Sequence, residues 1–67
     1  MSTYYGNWST NNGNTFNGRA YIDTNKRRLR KDLRKIASGN LTGPNDVGHW
    51  SITDRYDNDI LHGTVRW

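Results

Sequence analysis

The chain predicts an α+β fold of order ββαββ: a four-stranded, mostly antiparallel sheet built from two hairpins, with one basic amphipathic helix packed on one face. Three observations predict it. Asn12-Gly13 sits between two aromatic stretches, "TYYGNWST" and "TFNGRAYID", and Asn-Gly is the strongest short-range hairpin signal because both residues tolerate positive φ. Leu29, Leu33, Ile36 and Ala37 recur at helical spacing within "NKRRLRKDLRKIASGN". The last stretch, "HWSITDRYDNDILHGTVRW", alternates apolar and polar residues on either side of an Asp/Asn cluster.

The first hairpin is expected over residues 3–23. A two-residue loop at Asn12-Gly13 makes Thr3 face Ile22, Tyr4 face Tyr21, Tyr5 face Ala20, Gly6 face Arg19 and Ser9 face Phe16. One face then carries Tyr5, Phe16, Gly18, Ala20 and Ile22, and the other Tyr4, Trp8, Arg19 and Tyr21. Asn17-Gly18 offers a second turn or a bulge.

The helix is expected over 25–38, capped by Thr24 or Asp23 and stopped by Gly39 as a C′ glycine. Its apolar stripe is narrow. Arg27, Arg28, Lys31, Arg34 and Lys35 lie on the opposite side, with Lys26 and Arg30 on one flank. Residues 39–48 read as a loop by composition. The second hairpin takes 49–67, with a two-residue turn at Asn58-Asp59. Trp50 then faces Trp67, Ile52 faces Val65 and Tyr56 faces Leu61 on one side; Ser51 faces Arg66, Thr53 faces Thr64 and Arg55 faces His62 on the other.

Sixty-seven residues predict a single domain, which buries little of its surface. With no Cys, disulfides and Cys-based zinc sites are excluded. Three Trp, four Tyr and one Phe predict an aromatic core or a homodimer through the open sheet face. His49 and His62 are too few for a His-rich metal centre. Asp57 and Asp59 suit a turn, and Asp54, Asp57 and Asp59 lack EF-hand or zinc spacing, so neither metal, cofactor nor catalytic residues are expected. No apolar run follows a basic start and none reaches a membrane span, so the expectation is a cytoplasmic protein with no membrane partner.

The charge is divided. Residues 26–35 carry seven Lys and Arg against one Asp, a balance of +6, while the rest of the chain stands at −2. Like charges stack at i,i+4 in Arg27/Lys31/Lys35 and Arg30/Arg34, each pair costing a helix about 0.2–0.5 kcal/mol. Lys26, Arg27 and Arg28 also sit in the first turn, where the helix dipole disfavours cations. An anionic counterpart outside the helix is the economical explanation. Asp54, Asp57 or Asp59 could supply part of it.

The expected function is a small non-enzymatic binding protein whose basic helix contacts a polyanion, nucleic acid foremost, through Lys26, Arg27, Arg28, Arg30, Lys31, Arg34 and Lys35. The open sheet face supplies a second candidate surface of Tyr4, Trp8, Arg19, Tyr21, Arg55 and Arg66, with His62 beside them, whose aromatic/Arg mixture suits stacked bases. The alternative is a phage-type inhibitor, for example of a host defence complex such as a CRISPR effector, acting by binding an acidic protein surface.

Overall fold

The computed structural model describes residues 2–16 and 21–67. Six elements follow in order: β1 (Tyr4–Thr10), β2 (Thr15–Phe16), β3 (Ile22–Asp23), α1 (Lys26–Gly39), β4 (Val47–Thr53) and β5 (Asp59–Arg66). β1 pairs with both β2 and β3 along one edge and with β4 along the other, and β5 lies outside β4; every pairing is antiparallel. The α+β fold with one helix on an antiparallel sheet is therefore the one expected. The strand count is five rather than four because the partner of β1 comes in two short pieces.

The first hairpin turns through three residues, not two. Trp8 faces Phe16 and Ser9 faces Thr15. The Thr10 N–H donates to the Asn14 carbonyl at 2.7 Å, the Gly13 N–H donates to the Thr10 carbonyl at 3.1 Å, and Gly13 takes φ 95°. That is the three-residue loop with a left-handed glycine at its end. One added residue slips the register by one and turns every β1 side chain to the other face. Tyr4, Gly6, Trp8 and Thr10 thus point toward α1, and Tyr5, Asn7 and Ser9 point away.

Farther along, Tyr5 faces Ile22 and Tyr4 faces Asp23. The step from Tyr5 to Trp8 is matched by the longer step from Phe16 to Ile22, so Phe16 and Ile22 fall on opposite faces. Phe16 and Tyr21 pack edge to face at 4.8 Å against the core, whereas Ile22 is exposed. The expected pairings of Gly18, Arg19 and Ala20, and the turn at Asn17-Gly18, lie outside the described residues.

Asn25, rather than Thr24 or Asp23, caps α1: its side chain accepts the Arg28 N–H at 3.2 Å. Asp23 acts one step earlier, its Oδ1 accepting the Asn25 N–H at 3.0 Å. Gly39 is the last helical residue and not a left-handed cap; the stop is Asn40, whose Nδ2 donates to the Ile36 carbonyl at 2.8 Å. Leu29, Leu33 and Ala37 are buried and Ile36 packs beside them, as the stripe requires. Gly6 lets the helix come close. A Cβ built there would lie 2.7 Å from Leu33 Cδ2.

The β4–β5 hairpin keeps its expected faces but shifts its register by four residues. Trp50 faces Gly63, not Trp67, and Ile52 faces Leu61, not Val65, with an irregularity between Ile52 and Thr53. The turn is longer than two residues because Asp54 organises it. Asp54 Oδ1 accepts the Tyr56 N–H at 2.8 Å and the Asn58 N–H at 3.0 Å, and Asp57 takes φ 63°. Gly63 then lies under the Trp50 indole, where a Cβ would sit 2.7 Å from Cζ2. An even shift preserves which side chains face inward, so Leu61 and Val65 stay with Trp50 and Ile52. Tyr56 and Trp67 leave the expected core and are 74% and 69% exposed. His62 faces Ser51 instead of Arg55.

Candidate polyanion-binding groove

The buried stripe Leu29/Leu33/Ala37 seats α1 on the inner face of the sheet, and β5 remains at the rim, paired with β4 alone among the described strands. A cleft of about 600 Å³ opens between the helix and this outer strand. Its helical wall is Arg27, Arg30, Lys31, Arg34, Lys35 and Ser38, and its other wall is Thr64, Val65 and Arg66 of β5. A second hollow of about 940 Å³, lined by Tyr4, Thr24, Asn25, Lys26, Arg27, Arg30 and Leu61, shares Arg27 and Arg30 with the first. Together they form one trough that follows the helix from its N-cap to its last turn.

The helical period sorts the charges across α1. With Leu29, Leu33 and Ala37 facing the sheet, Arg30 and Arg34 fall on the β5 flank, Arg27, Lys31 and Lys35 on the crest, and Arg28, Asp32 and Ile36 on the other flank. The acids near the helix, Asp23 and Asp32, are thus on the Arg28 side. Arg28 Nε lies 2.6 Å from Asp23 Oδ2 and its Nη2 2.7 Å from Oδ1. The Arg28 hydrogen bond first, and the Asn25 N–H second, hold the Asp23 carboxyl well below the usual carboxylate range, and the same contact raises Arg28.

Of the expected binding set, Arg28 is thus the member held by an aspartate, with 64% of its side chain still exposed. Asp54, Asp57 and Asp59 do not neutralise the helix either. Asp54 serves its own turn, and Asp59 Oδ2 lies 3.0 Å from His62 Nδ1. Among the described residues, Arg28 is the one helix cation in an ion pair. Lys26 Nζ stands 5.4 Å from the Tyr4 ring centroid.

Lys26, Arg27, Arg30, Lys31, Arg34 and Lys35 are all exposed and all border the trough. Arg27/Lys31/Lys35 and Arg30/Arg34 form two rows with a step of about 6 Å along the axis. Guanidinium forks there can grip phosphate or carboxylate oxygens two at a time. Arg66 joins them from β5. Its parity on the strand is that of the open face, as expected, and it reaches the cleft because β5 is the outer strand of the sheet.

The expected second surface is dispersed. Tyr4, Trp8 and Tyr21 belong to the helix side, Trp8 in the core and the two tyrosines against it. Arg55 is on the β4–β5 turn, 5.7 Å from the Tyr56 ring centroid, and Arg19 lies outside the described residues. The open face instead holds a hollow of about 480 Å³ lined by Asn7, Ser9, Thr15, His49, Ser51 and His62 together with Trp8, Phe16, Trp50 and Gly63. Among the described residues, no three of His, Cys, Asp or Glu gather where they could hold a metal ion, and no helix is long and apolar enough to cross a membrane.

No family model matches the chain, and neither a curated protein nor a solved structure matches it.

Proposed function

We propose that the protein is a non-enzymatic binding protein that holds a polyanion, nucleic acid foremost, along the trough between α1 and β5. The observation that carries this reading is the sorting of charge: Arg27, Arg30, Lys31, Arg34, Lys35 and Arg66 line one cleft that has no acidic residue in its walls, while the acid beside the helix is spent on Arg28. Such a groove accepts a phosphate backbone without reading bases, so binding is insensitive to sequence and strongly dependent on salt. Each phosphate neutralised contributes about −0.7 to −0.9 to the slope of log K against log salt. A cytoplasmic location goes with this reading, and cell fractionation tests it.

Fluorescence anisotropy with labelled oligonucleotides at about 50 mM salt tests the function. Wild type is expected to bind, and Lys31→Glu/Arg34→Glu to lose binding with an unchanged circular dichroism spectrum. Failure to bind duplex DNA, single-stranded DNA and RNA alike removes the reading.

One observation favours a second reading. The outer edge of β5 lies beside the cations, so an acidic strand of a partner protein could add to the sheet and place its carboxylates in the groove. That is how a phage-type inhibitor of a host defence complex, such as a CRISPR effector, would use the same surface. Capture from host lysate with and without nuclease separates the two: a nucleic-acid ligand disappears with nuclease and a protein partner does not.

A further inference from the structure

We propose that Trp67 is a base-stacking residue and that the groove takes a single strand of nucleic acid, its backbone along α1 and one base on the exposed indole. The proposal rests on the groove's being a nucleic-acid site, and it adds the strandedness of the ligand and the residue that selects it.

The three tryptophans divide sharply. Trp8 and Trp50 are 9% and 8% exposed in the core, whereas Trp67 is 69% exposed and contributes nothing to that cluster. It directly follows Arg66, which lines the cationic cleft. Two positions beyond the buried Val65, it belongs by strand alternation to the side of the sheet that the helix occupies. A large ring thus stands at one end of a groove that can hold phosphates; Phe16 and Tyr21 pack against the core, and Tyr4, at the other end of the trough, is partly buried against the core with Lys26 beside its ring. The other highly exposed ring, Tyr56, is on the turn before β5, at the far end of that strand.

A base covers an exposed indole with its own flat face, and the contact tolerates any base because every base has one. In a duplex those faces are already stacked on one another. A single strand offers them, and the helix cations that line the cleft can hold the adjoining phosphates. Truncation of such a ring lowers affinity about 5- to 150-fold per stacked base.

The test compares oligothymidylate, a duplex of the same length and inorganic polyphosphate at about 50 mM salt, following tryptophan fluorescence and anisotropy. In wild type, oligothymidylate is expected to bind more tightly than duplex and to quench the emission of the exposed indole. Polyphosphate is expected to bind without that quenching. Trp67→Ala should lose the quenching and weaken oligothymidylate binding about 5- to 150-fold while leaving polyphosphate affinity unchanged, and Trp67→Phe should restore most of the loss. If Trp67→Ala binds oligothymidylate as tightly as wild type, or duplex is preferred, the stacking proposal is overturned and the groove reading stands. If wild type binds none of the three, the groove reading fails and takes this proposal with it.

Discussion

Arg28 holds Asp23 with one edge of its guanidinium, Nε to Oδ2 at 2.6 Å and Nη2 to Oδ1 at 2.7 Å. The same carboxylate accepts the Asn25 N–H at 3.0 Å, and Asn25 in turn caps the helix through the Arg28 N–H. One loop of contacts therefore joins β3, the cap and the first helical turn. It also offsets one of three cations placed where the helix dipole is unfavourable to them. The basic run has two functions as a result: Arg28 fastens the helix, and its neighbours face the groove.

Two single substitutions separate these functions. Arg28→Gln is expected to lower the melting temperature and leave polyanion affinity nearly unchanged. Arg34→Gln is expected to do the reverse. It relieves the i,i+4 repulsion with Arg30, worth about 0.2–0.5 kcal/mol, and shallows the salt slope by about 0.7–0.9 if Arg34 meets one phosphate. Thermal denaturation and salt titrations read the two effects independently. Equal losses of affinity in both variants would show that Arg28 is not withdrawn from the site.

Acid should unfold the protein through its aspartates. The Arg28 hydrogen bond lowers Asp23, and the Asn58 N–H lowers Asp54. Burial pushes Asp46 up, but the Thr42 N–H at 3.1 Å and the Val47 N–H at 2.9 Å outweigh it and the net shift is downward. A carboxyl with a depressed folded pKa binds its proton more readily in the unfolded chain. Its stabilisation is complete above the unfolded value, about 3.9, and disappears as pH falls through the lower folded values. Melts from pH 7 to pH 2 should show a plateau above about pH 5 and a steady decline below about pH 4. Asp23→Asn should start lower and decline less. A melting temperature that holds or rises on acidification would contradict the assignment.

The helix and its buried stripe were legible because Leu29, Leu33 and Ala37 must share one face at a period of 3.6, and no alternative phase buries them. The first hairpin was not, since aromatic residues occupy both parities: Tyr4, Trp8 and Tyr21 on one, Tyr5 and Phe16 on the other. Pattern alone could not choose between loops of two and three residues there, and that one residue decides whether the rings line the core or the surface. The second hairpin was legible in its faces and not in its register, because a shift of four preserves alternation. The clue was Gly63: a ladder with Trp50 opposite Trp67 sets it across from Asp54 on the apolar side, where it packs nothing, whereas it in fact makes room for Trp50. The groove followed the same logic. Its helical wall could be read from charge periodicity, but Arg66's place at the cleft depended on β5 being the outer strand beside the helix, and the Arg28–Asp23 pair on how the chain enters the helix.

The contact between Gly6 and Leu33 yields a double-mutant cycle. A Cβ on Gly6 would meet Leu33 Cδ2 at 2.7 Å and Cδ1 at 2.9 Å, and Leu33 is fully buried. Gly6→Ala should therefore overpack the interface and cost about 1–3 kcal/mol. Leu33→Ala should cost about 2–5 kcal/mol through its cavity. Each change supplies what the other lacks, so the double variant should lose clearly less than the sum, as measured by urea denaturation. Simple additivity would mean that α1 does not approach β1 at Gly6.

The two tryptophans of the second hairpin discriminate between registers. Trp50 is in the core and Trp67 is exposed, so Trp50→Ala should cost about 3–5 kcal/mol and Trp67→Ala no more than about 0.5 kcal/mol. The ladder in which Trp50 faces Trp67 requires both losses to be large. Gly63→Ala is the sharper probe because it adds atoms instead of removing them. Opposite Asp54, on a strand near its turn, an alanine would be tolerated. Under the Trp50 ring, where the new methyl lies 2.7 Å from Cζ2, it forces the indole or the strand to move, a cost of about 1–3 kcal/mol. Stability loss in Gly63→Ala together with none in Trp67→Ala fits only the register in which glycine makes room for tryptophan.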